Sequence, residues 1–343
     1  MKQKPFCPAD RRAALCIAAL AAALLALFLF SFVLGRYDVP IWQVVRILLS
    51  RLLPLEQTWT GNMATAVLNV RLPRILLACL VGGALSAAGT AYQAVFRNPM
   101  AAPDILGASS GACFGAALAI LLGLSRFGVT AMAFAASLAT VVLVYAIARR
   151  IRGNQVVNLL LSGIMISSLF SAGTSYIKLV ADPSNQLPAI TYWLMGSLSG
   201  TRMQHVVFAL IPMAAGALPL LSLRWRINLL TLSEEEARSM GVNTRALRLV
   251  VILSATVLTA ASVAAAGMIG WVGLVIPHLG RKLVGSDCRR LLPAAMLMGA
   301  FFLLAVDNIS RNLLAVEIPI GILTAFVGAP FFLYLMTRKE HVL

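Results

Sequence analysis

Apolar runs of about 20 residues recur along the whole chain, each long enough for an α-helix to cross a hydrocarbon layer. Lipid offers backbone amides no partners, so such runs satisfy their hydrogen bonds internally. The 343 residues are 60% hydrophobic and 12% charged, with a mean hydropathy of +0.89. These features predict an all-α polytopic membrane protein, with residues 1–343 forming a single transmembrane domain. A signal-peptide core is typically about 7–15 residues. Ala13–Leu34 is longer and reads as a retained span.

Ten spans are expected, at about Ala13–Leu34, Ile75–Val95, Ile105–Leu124, Val129–Ala148, Val156–Tyr176, Val206–Leu223, Leu249–Ala266, Gly267–Leu283, Leu291–Val306 and Ile318–Met336. Of the 28 Lys and Arg residues, about nineteen then fall on one side and about nine on the other. The positive-inside rule makes the richer side cytoplasmic, with both termini there, in a cytoplasmic or inner cell membrane. The net charge of +16 thus belongs to orienting loops, and no basic-aromatic domain points to nucleic acid. Between spans, Ile41–Leu53 reads as an interfacial amphipathic helix ending near Pro54. Spans 2–5 begin outside and spans 7–10 inside, the arrangement of an inverted repeat.

Catalysis lacks its usual parts. There is no G-x-x-x-x-G-K-[ST] and no H-E-x-x-H, so neither a P-loop nor that zinc motif is present. No cofactor is expected in this chain. The five cysteines lie far apart without a C-x-x-C, against a metal site or a disulfide framework. His278 reads as a helix-end histidine on backbone, or as a ligand or proton relay. Asp104, Asp307 and Glu317 fall at expected span ends. A coupled carrier usually needs carboxylates deeper in the membrane. Driving energy is therefore expected from a cytoplasmic partner.

Three sets of residues are candidates for function. The polar stretch Arg224–Arg248 interrupts two spans on the inner side. Within it Ser233 and Glu236 have capping-box spacing, Glu234 and Glu235 suit a helix N-terminus, and Gly241 suits its stop. A short helix over about Glu234–Met240 is predicted, either a plain linker or a docking element. On the outer side, Arg71, Arg74 and Arg311 run against the positive-inside bias. They would meet carboxylates of a soluble partner, snorkel to lipid phosphate, or pair with Asp307 or Glu317. Ser167, Ser171 and Ser175 share one face of span 5. Their hydroxyls would bond back to the helix, hold a neighbour, or wet a pathway wall.

Several long motifs carry a family resemblance. Gln93-Ala94-Val95-Phe96-Arg97-Asn98-Pro99-Met100-Ala101-Ala102-Pro103-Asp104-Ile105-Leu106-Gly107 resembles Q-x-x-x-R-N-P-L-A-x-P-x-x-L-G, with Met100 in place of Leu. Trp193-Leu194-Met195-Gly196-Ser197 is similar to W-x-x-G-S. Gly267–His278 resembles G-x-I-x-F-V-G-L-x-x-P-H, with Trp271 where Phe is common. Asp307, Arg311, Glu317, Pro319 and Gly321 continue into Gly328-Ala329-Pro330. The chain from about Val70 to Arg338 therefore resembles the FecCD-type permeases of binding-protein-dependent ABC importers for iron–siderophore, haem or cobalamin uptake.

The resemblance implies ten spans, a second permease subunit (a homodimer or a sibling heterodimer) and two ATPase subunits, which would bind the ATP and Mg. It implies ATPase coupling at Leu232, Ser233, Glu234, Glu235, Glu236, Ala237, Arg238 and Gly241. Leu232-Ser233 stands where the family often has Leu-Gly. It further implies docking of an extracytoplasmic binding protein on Arg71, Arg74 and Arg311, and a pathway between permeases walled partly by span 5. The expected function is ATP-driven import of a ferric siderophore, by a subunit that is not itself an enzyme. Haem, cobalamin or a self-contained secondary carrier are the alternatives.

Overall fold

The computed structural model describes residues 8–35, 37–51, 53–54, 56–232 and 234–337. Its α-helices are α1 Pro8–Ser31, α2 Ile41–Leu49, α3 Gly61–Ala64, α4 Leu72–Phe96, α5 Ala108–Leu121, α6 Arg126–Arg150, α7 Gln155–Val180, α8 Gln186–Leu194, α9 Met203–Ile227, α10 Glu234–Ser239, α11 Thr244–Ala266, α12 Val272–Val284, α13 Cys288–Asn312 and α14 Ile320–Thr337. No strand occurs among the described residues. Seven helical stretches there are long and apolar enough to cross a membrane, and Ala108–Leu121 and Ile320–Tyr334 are shorter apolar helices.

The central helix is α4. In its most apolar stretch 83% of residues are buried, against 6% for α1. Its core face is made of small residues, and α9, α11, α12 and α13 all pack on it. A Cβ on Gly82 would lie 2.2 Å from the Gly299 carbonyl of α13, and one on Gly89 1.8 Å from the Gly273 carbonyl of α12. In lipid, helices associate through such close approach rather than through a hydrophobic effect. The helical run reaching α4 starts at Gly61 and widens to a π-helix over Thr65–Arg71. Pro73 explains the widening. It has no amide for the regular ladder, and the Leu72 amide reaches back to the Val67 carbonyl.

Two expected spans are interrupted. Past α4, the chain from Asn98 turns back into the protein before α5 starts at Ala108. A Cβ on Gly273 would lie 2.3 Å from Pro103 Cγ, and Gly273 rests on Gly89. Gly89 stands seven residues before the end of α4, about 10 Å up its axis. The chain around Pro103 therefore lies back inside the end of α4, with Asp104 exposed toward a cavity. The second interruption is Gly267–Trp271, ahead of the 13-residue α12. The sequence marks breaks in this span at Gly270, Gly273 and Pro277, of which only Gly270 falls outside the helix. Gly267 at φ +72° and Trp271 at φ +70° turn the chain away from helical geometry.

The two interrupted helices pack reciprocally. α5 pairs with α6 and touches α11, while α12 pairs with α13 and touches α4. Elsewhere the expected boundaries shift by a few residues: α7 runs on to Val180, and α2 stops at Leu49 rather than Leu53.

Gly89→Val should therefore lower the melting temperature in detergent sharply or prevent folding, since overpacking costs about 1–3 kcal/mol or more. Gly61→Ala, with no atom within 4 Å of the added Cβ, should melt like the parent chain. Equal melting of both variants would refute this account of the core.

Candidate functional site

The polar stretch folds as a small, firmly held unit at one end of the bundle. α9 ends at Ile227 and passes through a 3₁₀ turn, Asn228–Thr231, into α10. Ala237 of α10 is fully buried, while Glu236, Ser239 and Met240 lie on its exposed side. Gly241 takes φ +76° and ends the helix, as the sequence suggested. Ser233 lies outside the described residues, as do the side chains of Glu234, Glu235 and Arg238.

Two anchors fasten this unit, and sequence reasoning assigned neither. Arg97, in the left-handed conformation that closes α4, donates Nε to the Leu230 carbonyl at 2.8 Å and a second nitrogen to that of Leu232. Asn228 donates to Asp287 Oδ1 at 2.7 Å and accepts from the Cys288 amide at 2.8 Å. Partial burial pushes the Asp287 carboxyl up. Bonds from the Arg289 side chain and amide and from Asn228 outweigh that and hold it below the usual range. The unit is thus tied to the ends of α4 and α13. Nearby, Arg248 of α11 donates to Gln155, at the start of α7. The only sequence signal for Arg97 was its place in a motif.

The three arginines at the opposite end are buried, not displayed. Arg74 donates Nε to Asp307 Oδ1 at 2.9 Å and Nη1 to both Glu317 oxygens at 2.9 Å. Asp307 is wholly buried within α13. Arg311 stands 3.8 Å from its other oxygen and donates to the Ser31 carbonyl at 2.9 Å. Arg71 donates to the carbonyls of Phe32 and Tyr37. Arg71 and Arg311 thus cap the last carbonyls of α1, where cations are favoured. Of the options open at the sequence level, the local pair with Asp307 and Glu317 is formed. Among the described residues, Arg74 Nη2, Arg311 Nε and Asp307 Oδ2 have no hydrogen-bond partner.

The motifs themselves meet. The Ile320 amide donates to Gly196 and the Gly321 amide to Met195, while Ser197 donates to Ala266. A Cβ on Gly196, Gly267 or Gly321 would fall 2.4–2.6 Å from a facing carbonyl. Beside this knot runs a cavity of about 730 Å³ along α14, bordered by Asp104, Met195, Met268, Trp271 and Phe326. Ser109 donates to the Asp104 carboxylate. Gly107-Ala108-Ser109-Ser110-Gly111 spells G-x-S-x-G, the string of a hydrolase nucleophile turn. Ser109 is not such a nucleophile: it is buried in the first turn of α5, and among the described residues no strand precedes that helix.

Of the three serines, Ser171 and Ser175 are exposed on α7, and Ser167 is half-buried near Gly107. Ser175 bonds back to the Ser171 carbonyl at 3.0 Å. His278 lies in the middle of α12 rather than at a helix end.

A model of the FecCD transport family matches residues 23–338. The chain belongs to the FecCD transport family. It is 41% identical over 308 residues to the molybdate import permease MolB of Haemophilus influenzae, covering 90% of this chain and 91% of that one. It is 41% identical over 284 residues to the hemin transport permease HmuU of Yersinia pestis (80% and 84%). With the cobalamin import permease BtuC of Halobacterium salinarum it shares 43% over 288 residues (84% and 77%). A solved structure described as a metal-chelate type ABC transporter in an inward-facing conformation superposes with a TM-score of 0.84 at 39% identity, covering 94% of this chain and 98% of that one. Membership in the FecCD family makes this chain a multi-pass, non-catalytic permease subunit of an ABC importer. That displaces the reading as a self-contained carrier.

Arg74→Ala should cost about 3–5 kcal/mol, as expected when a buried charge loses its partner. Asp307→Asn should cost less, because Arg74 keeps its bonds to Glu317. Thermal unfolding in detergent measures both, and the reverse order would refute the pairing.

Proposed function

We propose that this FecCD permease imports a metal chelate, a ferric siderophore in the first instance, handed over by an extracytoplasmic binding protein and driven by a separate ATPase. The observation that carries the reading is the short helix α10, whose preceding turn is fastened to the ends of α4 and α13. A cytoplasmic partner moving α10 would move the central helix with it. The full-length likeness to a metal-chelate type transporter supports the cargo class. Relatives that handle hemin and cobalamin keep haem and cobalamin as the second reading.

The assembly follows from the same reading. A second permease, identical or sibling, covers the apolar α7, where Met165, Leu169 and Leu179 are exposed. The pathway runs past Ser167, Ser171 and Ser175. Two ATPase subunits take the face formed by Leu232, Ser233, Glu234, Glu235, Glu236, Ala237, Arg238 and Gly241. The α10 end is cytoplasmic in a cytoplasmic or inner membrane, with both termini on that side. Ten crossings follow if α12 is counted with the seven long and two shorter helices, and the reciprocal packing of α5 and α12 supports an inverted repeat of spans 2–5 and 7–10.

Vesicles holding the permease, the ATPase and the binding protein should accumulate ferric siderophore only with ATP. Uptake without ATPase would sink the reading. In the same assay Arg97→Gln, or alanine at Glu234–Glu236, should lower transport per ATP about tenfold or more, the loss of about 1.4 kcal/mol of coupling. An unchanged ratio would remove α10 from the coupling path.

For docking, the binding protein would compete with Asp307 and Glu317 for arginines now held internally, among them Arg74, whose buried Nη2 has no hydrogen-bond partner. Glu317→Gln should therefore tighten binding-protein capture several-fold. Capture at the parental level would leave Arg71, Arg74 and Arg311 with a structural role alone.

A further inference from the structure

A second cavity, of about 980 Å³, lies at the end of the bundle opposite α10. The first turns of α6 and α9 and the last turns of α5, α8 and α11 enclose it. Its lining on α9 extends from Met203 to Ile211, about 12 Å along the axis. The cavity thus starts at the membrane boundary and descends into the hydrocarbon layer. An edge-on contact between Phe127 and Phe208, 5.1 Å between centroids, joins α6 to α9 beside it.

The mouth of this cavity is basic. Arg126 lines it and donates one nitrogen to the Gly200 carbonyl at 2.9 Å, leaving further N–H groups in its fork. His205 also lines it, and its Nδ1 accepts from the Arg202 amide at 3.2 Å. That bond sets Nε2 as the protonated nitrogen, a second donor. Arg126 and Arg202 are both within electrostatic reach of the imidazole. None of the described residues lining the cavity is acidic. Arg126 and Arg202 also lie on the side where arginine is disfavoured by the positive-inside bias.

A deep apolar slot under a cationic mouth, at a membrane boundary, matches one chemistry. We propose that this cavity binds an anionic phospholipid, with an acyl chain beside Phe127 and Phe208 and the phosphate on Arg126 and His205. Arginine forks onto phosphate through paired N–H bonds. The flanking side chains agree: Phe127 and Ile211 are 62% and 67% exposed at positions where lipid is the natural neighbour. A soluble anion would leave the slot beneath unfilled. The site is separate from α10, and the proposal stands whichever cargo the permease carries.

Trp193 lines the cavity and reports on it. The probe is phosphatidylglycerol with brominated acyl chains, added in small amounts to phosphatidylcholine nanodiscs holding the full chain. The Trp193 signal is the part of the fluorescence lost in Trp193→Phe. Brominated phosphatidylglycerol should quench that signal about tenfold more effectively than brominated phosphatidylcholine. Arg126→Ala with Arg202→Ala should abolish the preference while circular dichroism stays unchanged. Arg126→Gln, a gentler change that keeps a donor for Gly200, should reduce it if the double variant fails to insert. Equal quenching by the two lipids would overturn the proposal. So would a preference that survives Arg126→Gln, or full relief of quenching by inorganic phosphate or by a soluble acidic peptide.

Discussion

Gly82 of α4 and Gly299 of α13 approach so closely that neither could carry a methyl group, and Gly89 meets Gly273 of α12 in the same way. Hydrocarbon does not drive helices together, so the bundle depends on these backbone-to-backbone contacts and the dispersion they allow. They make α4 a shared wall for the helices around it. They also tie the interrupted chain near Pro103 and Gly273 to one level of that wall. A displacement of α4 along its axis would carry both interruptions with it.

That mechanical connection gives meaning to the polar residues at either end. At one end Arg97 closes α4 and grips the two carbonyls that lead into α10, while Asn228 and Asp287 make the second attachment to α13. At the other end Arg74 joins α4 to Asp307 of α13 and to Glu317 ahead of α14. Arg71 and Arg311 hold the C-terminal carbonyls of the peripheral α1. The same pair of helices, α4 and α13, is therefore joined at both faces of the membrane. Between those faces, the cavity beside Asp104, Met268 and Trp271 follows the course of the interruptions. Non-helical backbone inside a membrane is tolerated where it is buried in protein or lines a cavity, and here it does both.

The sequence by itself determined the helical class, the membrane setting, most helix positions, the short α10 with its Gly241 stop, and the family through its motifs. Each of these depends on local rules: run length, caps, charge bias and spacing. What only the tertiary structure decided depends on distance across the bundle. The chain before Asp104 turns back inside the end of α4 because Pro103 packs on Gly273, 170 residues away in the numbering. Three readings of Arg74 were open in the sequence, and folding chose among them by bringing Asp307, 233 residues distant, to 2.9 Å. Arg97 carried a motif but no visible partner until the turn after α9 folded back against the end of α4. A one-dimensional pattern records which groups need partners, and the three-dimensional packing of helices in lipid chooses them.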